Sequence, residues 1–194
     1  MPNHVINRLT ASPEILDALK GNGDVDFNAL IPMPKILKHT ASGSRDFDGV
    51  KHKNWFIENP EAPFRDQVKR AFTDEEIQVL QQIGFSSWYD WSIEKWGVKW
   101  NAYAINRTET DVTFQTAWSS PKEVFEALSG RFPDEEIRVE FADEDIGSNC
   151  GTATYRWGNL VDFSAGNVDF AHDMWGHDEE TRAEMAADHA EDGQ

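Results

Sequence analysis

Twice in this chain a β-patterned stretch runs into a serine-proline pair, an amphipathic helix and a glycine. The first copy is HVINRLTA followed by SPEILDALKG, from His4 to Gly21. The second is the alternating run Val112, Phe114, Thr116, Trp118, followed by SPKEVFEALSG up to Gly130. Ser12-Pro13 aligns with Ser120-Pro121, Ala18-Leu19 with Ala127-Leu128, and Gly21 with Gly130, with one residue inserted between. Each serine reads as a helix N-cap. Each proline takes the first helical position, where a missing N–H costs nothing, and each glycine supplies a left-handed stop. Ser120 and Glu123 also have the spacing of a capping box. Ile15, Leu16 and Leu19 share one helical face while Asp17 and Lys20 point elsewhere, so the helix packs on one side only.

A strand can follow each copy. Trp100 to Arg107 (WNAYAINR) follows the first across a long insertion, and Ile137, Val139 and Phe141 follow the second directly. Two such units side by side give an α+β fold: a ferredoxin-like split βαβ repeat, with an antiparallel sheet and both helices on one face. NRTETDV, from Asn106 to Val112, suits the hairpin between the second and third strands. Further on, Ala153, Tyr155 and Trp157 alternate with Thr152, Thr154 and Arg156. Gly158-Asn159 reads as a two-residue turn returning into Leu160 to Phe163, which makes an extra C-terminal β-hairpin. The domain spans 1–168, with a large helical insertion at about 22–97, and an acidic tail occupies 169–194.

Inside the insertion, Pro32 and Pro34 interrupt FNALIPMPKIL, and HTASGSRDFDG from His39 has the composition of an exposed loop. FRDQVKRAF from Phe64 reads as helical. TDEEIQVLQQIGF reads as a second helix, with a capping box from Thr73 to Glu76 and a stop at Gly84. It leads into SWYDWSIEKWGVKWN from Ser87, which holds four of the eight tryptophans. Each indole can bury roughly 200 Å², so at about 25 cal/mol per Å² the cluster can anchor a sub-core. Trp88 and Trp91 share a helix face, Gly97 ends that helix and Trp100 opens an extended run. Trp88, Trp91, Trp96 and Trp100 are therefore expected in the core. The competing reading is a stacking platform for sugars or bases, which would need more basic flanks than Lys95 and Lys99.

Acidic residues number 35 against 18 basic, a formal net charge of -17. The excess is concentrated: residues 131–194 hold 17 acidic and 4 basic side chains. Such a field repels nucleic acid and anionic membrane and attracts basic protein surfaces; solubility or adaptation to high salt is the plainer explanation. No apolar run approaches a membrane span or signal-peptide centre, so a soluble protein of the cytoplasm is expected. Cys150, the single cysteine, excludes an intramolecular disulfide and any multi-cysteine metal site.

Four motifs, MPNxxxNRLT at the start, DFNALIPMP from Asp26, WYDWxxxxWGxKWNAY from Trp88 and FxTAWSxPxxVxxALSxxFP from Phe114, resemble the phage- and plasmid-borne YubB family. The resemblance covers roughly the first 165 residues. It implies a ferredoxin-like domain without an iron-sulfur cluster and carries no established chemistry. The stretch NVDFAHDMWGHDEETRAEMAADHAEDGQ departs from the common pattern, so a function located there would be special to this protein.

Catalytic signatures are few. His172 and His177, with Asp173, Asp178 and His189 nearby, invite a zinc or nickel site, but their spacing fits neither a helical i,i+4 pair nor a finger. Asp90 and Glu94 could share a helix face as paired carboxylates, yet between tryptophans they more often serve lysines or indole N–H groups. GxGxxG, P-loop and GxSxG motifs are missing from the sequence. No cofactor is expected, and the chain is read as a non-enzymatic protein. The favoured function is a mobile-element inhibitor in the host cell. Its carboxylates, Asp143, Glu144, Asp145, Asp178, Glu179, Glu180 and Glu184, would imitate nucleic-acid phosphates and occupy the basic groove of a host defence complex, a CRISPR effector or restriction enzyme. The alternatives are a nucleic-acid-binding ferredoxin-like module, which the net charge opposes, and an enzyme of unknown type.

Overall fold

The computed structural model describes residues 3–41 and 55–192, with side chains described as far as residue 187. From residue 42 onward, the expected loop at HTASGSRDFDG lies outside the described residues. β1 (His4–Thr10) alternates strictly, sending Val5, Asn7 and Leu9 inward. It leads into α1 (Pro13–Asp17), which buries Ile15 and Leu16. The insertion carries α2 (Lys35–Lys38), a small antiparallel pair of β2 (Phe56–Ile57) with β3 (Lys69–Arg70), then α3 (Asp74–Ile83) and α4 (Trp88–Trp96). β4 (Tyr103–Arg107), β5 (Asp111–Ala117), α5 (Lys122–Arg131) and β6 (Ile137–Asp143) complete the repeat. β7 (Cys150–Arg156) and β8 (Asn159–Ala165) form the extra hairpin, and α6 (Val168–Trp175) and α7 (Glu179–Asp192) end the chain.

The six-stranded sheet has the order β4-β5-β1-β6-β7-β8, and every neighbouring pair is antiparallel. Its first four positions are the ferredoxin-like arrangement, with the two repeat-starting strands, β1 and β5, adjacent at its centre. Leu9, Val112, Phe114, Val139 and Tyr155 project from the sheet into the same core as Leu16 of α1 and Val124, Phe125 and Leu128 of α5, so both repeat helices cover one face. Side chains alternate across a sheet, so Ala142 and Cys150, out of phase with Val139 and Ala153, point the other way. There they meet Ala171 and Met174 of α6, with Ile6, Phe170 and Trp175 around them. The expected tail thus begins with a helix that closes part of the second face.

The Trp stretch folds as a capped helix. Ser87 Oγ accepts from the Asp90 N–H, and Gly97 ends α4 with φ of 74°. Trp91 and Trp96 are buried, edge to face at 5.1 Å, with Phe27 against Trp96. Trp88 and Trp100 are only half-buried, so the core expectation holds for two of the four indoles. β4 begins at Tyr103, three residues beyond Trp100.

Several local expectations are corrected. Neither Ser12 nor Ser120 caps its helix: neither hydroxyl makes a cap hydrogen bond, and the box with Glu123 does not form because α5 starts at Lys122 with Pro121 in the cap position. Gly21 and Gly130 have no positive φ. Gly21 bridges to Gly23, and a Cβ on Gly21 would strike the Asp26 side chain, while Gly130 lies within α5, where a Cβ would make ordinary contact with the Gly158 backbone. Phe64–Phe72 is a short 3-10 turn and strand β3, not a helix; Val68, Lys69 and Phe64 are exposed, so there is no apolar helical face to bury. The β7–β8 turn is centred on Trp157-Gly158, with φ of 54° and 78°, because Asn159 already pairs with Arg156. By contrast, Thr73 and Glu76 form the full capping box, and Gly84 is the left-handed stop.

Candidate functional site

Of the expected acidic site, Asp143 is buried at the end of β6. Its carboxylate accepts from Asn3 Nδ2 at 3.2 Å, Asn149 Nδ2 at 3.3 Å and the Asp145 N–H at 2.9 Å. These bonds tie off the β6–β7 loop, so Asp143 has no free face for a partner. Glu144 and Asp145 are exposed, although Glu144 Oε1 accepts the His4 N–H at 3.0 Å. Asp178 precedes α7 and accepts the Thr181 N–H at 2.9 Å; those helix-capping bonds hold its carboxyl below the usual range. Glu179, Glu180 and Glu184 are exposed and have no ion pair among the described residues. Arg182 is already committed, donating to Asp173 at 2.6 Å and to the His177 carbonyl at 3.0 Å. Trp175 Nε1 donates to the Asp143 carbonyl at 2.9 Å, pinning the end of α6 to the loop that carries Glu144 and Asp145. The structure therefore brings the loop carboxylates and the start of α7 to the same end of α6.

The other candidates separate. His172 Nδ1 and His177 Nδ1 lie 3.0 Å apart, within hydrogen-bond distance, and burial lowers the pKa of His172. Among the described residues no group of three or more His, Cys, Asp or Glu side chains is placed to hold a metal ion. Asp90 Oδ2 accepts from Ser86 and Ser87 at the start of α4, whereas Glu94 pairs with Lys95, so the two carboxylates serve different neighbours. Burial raises the Cys150 thiol pKa. Beyond α6, the second face of the sheet carries Arg8, Thr113, Gln115, Glu140, Thr152 and Thr154, with Arg8 and Arg138 both paired to Glu140. No helix among the described residues is long and apolar enough to cross a membrane.

A second site lies where α4 meets the insertion. A cavity of about 480 Å³ is walled by Met33, Pro60, Trp88, Trp96 and Trp100, with Lys38, Glu61 and Asn101 at its polar margin. A neighbouring cavity of about 250 Å³ shares Lys38, Pro60 and Trp88 and adds Phe64, Gln67 and Lys69. The framework is fixed by hydrogen bonds. The Trp88 N–H donates to Thr40 Oγ1 at 2.8 Å and Trp96 Nε1 to the Ile31 carbonyl at 2.9 Å. Asn101 Oδ1 accepts from the Phe27 and Ala102 N–H groups, while its Nδ2 donates to Asp26. Beside the groove, the Lys99 ammonium sits 4.7 Å from the Trp100 ring centre, 4.9 Å from that of Trp118 and 5.9 Å from that of Tyr89. Sequence reasoning found the indoles but missed Met33, Lys38, Pro60 and Lys69, which reach them only through tertiary folding and carry no local pattern.

Residues 95–186 match a family model described as the ferredoxin-like domain in Api92-like protein. No curated protein matches the chain. Among solved structures, the crystal structure of a protein api92 from Yersinia pseudotuberculosis is 23% identical, covering 43% of this chain and 32% of that one, with a TM-score of 0.37. The family match includes α6 and the first half of α7.

Proposed function

We propose that this protein acts by binding, presenting the exposed carboxylates around α6 and α7 to a basic surface of another protein. The observation that supports it is the exposure of Glu179, Glu180 and Glu184 on one helix, without an ion pair among the described residues, beside an Arg182 already neutralised by Asp173. Glu179 and Glu180 also favour the positive end of the α7 dipole, so they stabilise the helix that spaces them. A helix repeats its carboxylates at regular intervals, as a nucleic-acid backbone repeats its phosphates. On this reading the protein belongs to a phage or plasmid and occupies the nucleic-acid groove of a host RNA-guided nuclease or restriction enzyme. Charge complementarity of this kind speeds association and weakens as salt screens it.

The experiment is a displacement assay on a host nuclease bound to labelled DNA. Added protein should release the DNA at low salt, less at high salt, and not at all when Glu179, Glu180 and Glu184 are replaced together by Lys at unchanged thermal stability. Release by that triple variant, with the same salt dependence, excludes the acidic face as the docking surface.

A further inference from the structure

We propose that the groove between α4 and the insertion binds a small anion that carries a flat ring, an aryl phosphate or aryl carboxylate of roughly mononucleotide size. The two adjoining cavities, about 480 and 250 Å³, fall in or near the range of small-molecule sites, and Lys38 and Trp88 line both. Half-buried Trp88 and Trp100 offer indole faces for stacking, and Met33 and Pro60 complete an apolar wall.

The polar groups at this wall are mostly donors. Neither Trp88 Nε1 nor Trp100 Nε1 donates to any described residue, in contrast to Trp96 Nε1, which is used internally. Lys38 and Lys69 have no carboxylate within ion-pair distance among the described residues. Lys20, Lys95 and Lys122 each have one. Lys35 and Lys99 are also without one among the described residues, so what distinguishes Lys38 and Lys69 is their place on the walls of one aromatic groove. Two ammonium groups and two indole N–H groups beside stacking surfaces match a ring with an attached anionic acceptor. Glu61, exposed on the rim, is the opposing charge and excludes a ligand carrying a second anion on that side. A nucleic-acid strand would meet the full field of net charge -17, which favours a small ligand. This site is independent of the acidic face.

The test uses the full chain labelled with 15N at its indoles, with the Trp88 and Trp100 resonances assigned from W88F and W100F. Adenosine 5′-monophosphate and 2-naphthoate are titrated, with adenosine, inorganic phosphate and a short oligodeoxyadenylate as comparators. One or both aryl anions should shift both resonances saturably, with adenosine and phosphate each at least tenfold weaker; which of the two binds tells phosphate from carboxylate. Lys38 is exposed, so K38A tests its charge with the fold intact, and it should weaken binding about tenfold; E61Q should tighten it severalfold. The proposal is overturned if neither aryl anion shifts these resonances at millimolar concentration, if adenosine binds as tightly, or if K38A changes nothing. Weakening by E61Q, which would indicate a zwitterionic ligand, or tighter binding of the oligonucleotide also overturns it.

Discussion

Ser12 and Ser120 occupy equivalent places in the two halves of the repeat, and both hydroxyls are buried without a hydrogen-bond partner among the described residues. Each precedes a proline that begins or caps the next helix. A working N-cap serine contributes about 0.5–2 kcal/mol, lost on replacement by Ala. An unsatisfied buried hydroxyl instead opposes folding, so its removal is neutral or favourable. S12A and S120A should therefore leave urea-unfolding stability unchanged or raise it by up to about 1 kcal/mol. A loss of 1 kcal/mol or more in either variant would show that the hydroxyl is a cap after all.

The glycines give a second discriminating set. Gly130 sits within α5, and a Cβ there would meet Gly158 Cα at 3.5 Å, an ordinary contact. G130A should gain about 0.5–1 kcal/mol from helix propensity. Gly84 has φ of 80° with open space around it, so G84A should lose about 1–2 kcal/mol from backbone strain alone. At Gly97, with φ of 74°, a Cβ would meet only the far end of the Glu123 side chain, which can swing aside, so G97A should lose about as much as G84A, about 1–2 kcal/mol. Thermal melts of the three variants separate G130A from the other two directly.

Local signals survived where the local chain also determined the outcome. The Thr73–Glu76 box and the stops at Gly84 and Gly97 depend on a few consecutive residues, and they form. The repeat placed α1 and α5 on one face because its apolar spacing is periodic in both copies. Its glycines misled because neither ends a helix with a positive φ: Asp26 presses on Gly21, and Gly130 is itself a residue of α5. Ser129 Oγ, not a helix cap, accepts the Gly158 N–H at 3.1 Å. The acidic residues looked alike in sequence, yet Asp143 is buried while Glu144 is exposed, because strand alternation turns one inward and the loop frees the other. Nothing local indicated that Lys38 and Pro60 would meet Trp88.

Tryptophan accessibility follows from the split within the cluster. Acrylamide should quench an exposed population that includes Trp118, Trp157 and Trp55, at 39%, 59% and 50% exposure, and leave Trp91 and Trp96 protected at 5% and 3%. W91A should cost about 3–5 kcal/mol, since it empties a buried indole site. W100F should cost far less, which is why it can serve as an assignment variant. Equal quenching of all eight indoles would contradict the burial of Trp91 and Trp96.

Acid sensitivity should centre on Glu76. Arg70 donates to both of its oxygens, at 2.7 and 2.8 Å, and the Thr73 N–H adds a third bond at 2.9 Å. The Arg70 hydrogen bonds are the largest cause that pulls its pKa to about 2; burial opposes them, and the Thr73 capping bond and the Arg70 charge add smaller downward pulls. Arg70 also lies 3.9 Å over the Phe56 ring, so the carboxylate links α3 to the small β2–β3 pair. A folded-state pKa below the unfolded value means that the stabilisation is complete above about pH 4.5 and disappears as pH falls towards 2. E76Q removes the titrating charge. Its melting temperature should lie below that of the wild type at neutral pH, and the gap should close between about pH 4.5 and 2. T73A removes only the cap and should cost about 1 kcal/mol. Paired melts of wild type, E76Q and T73A across this range separate the two contributions. A gap between wild type and E76Q that stays constant down to pH 2 would mean that the Glu76 charge does not contribute through Arg70.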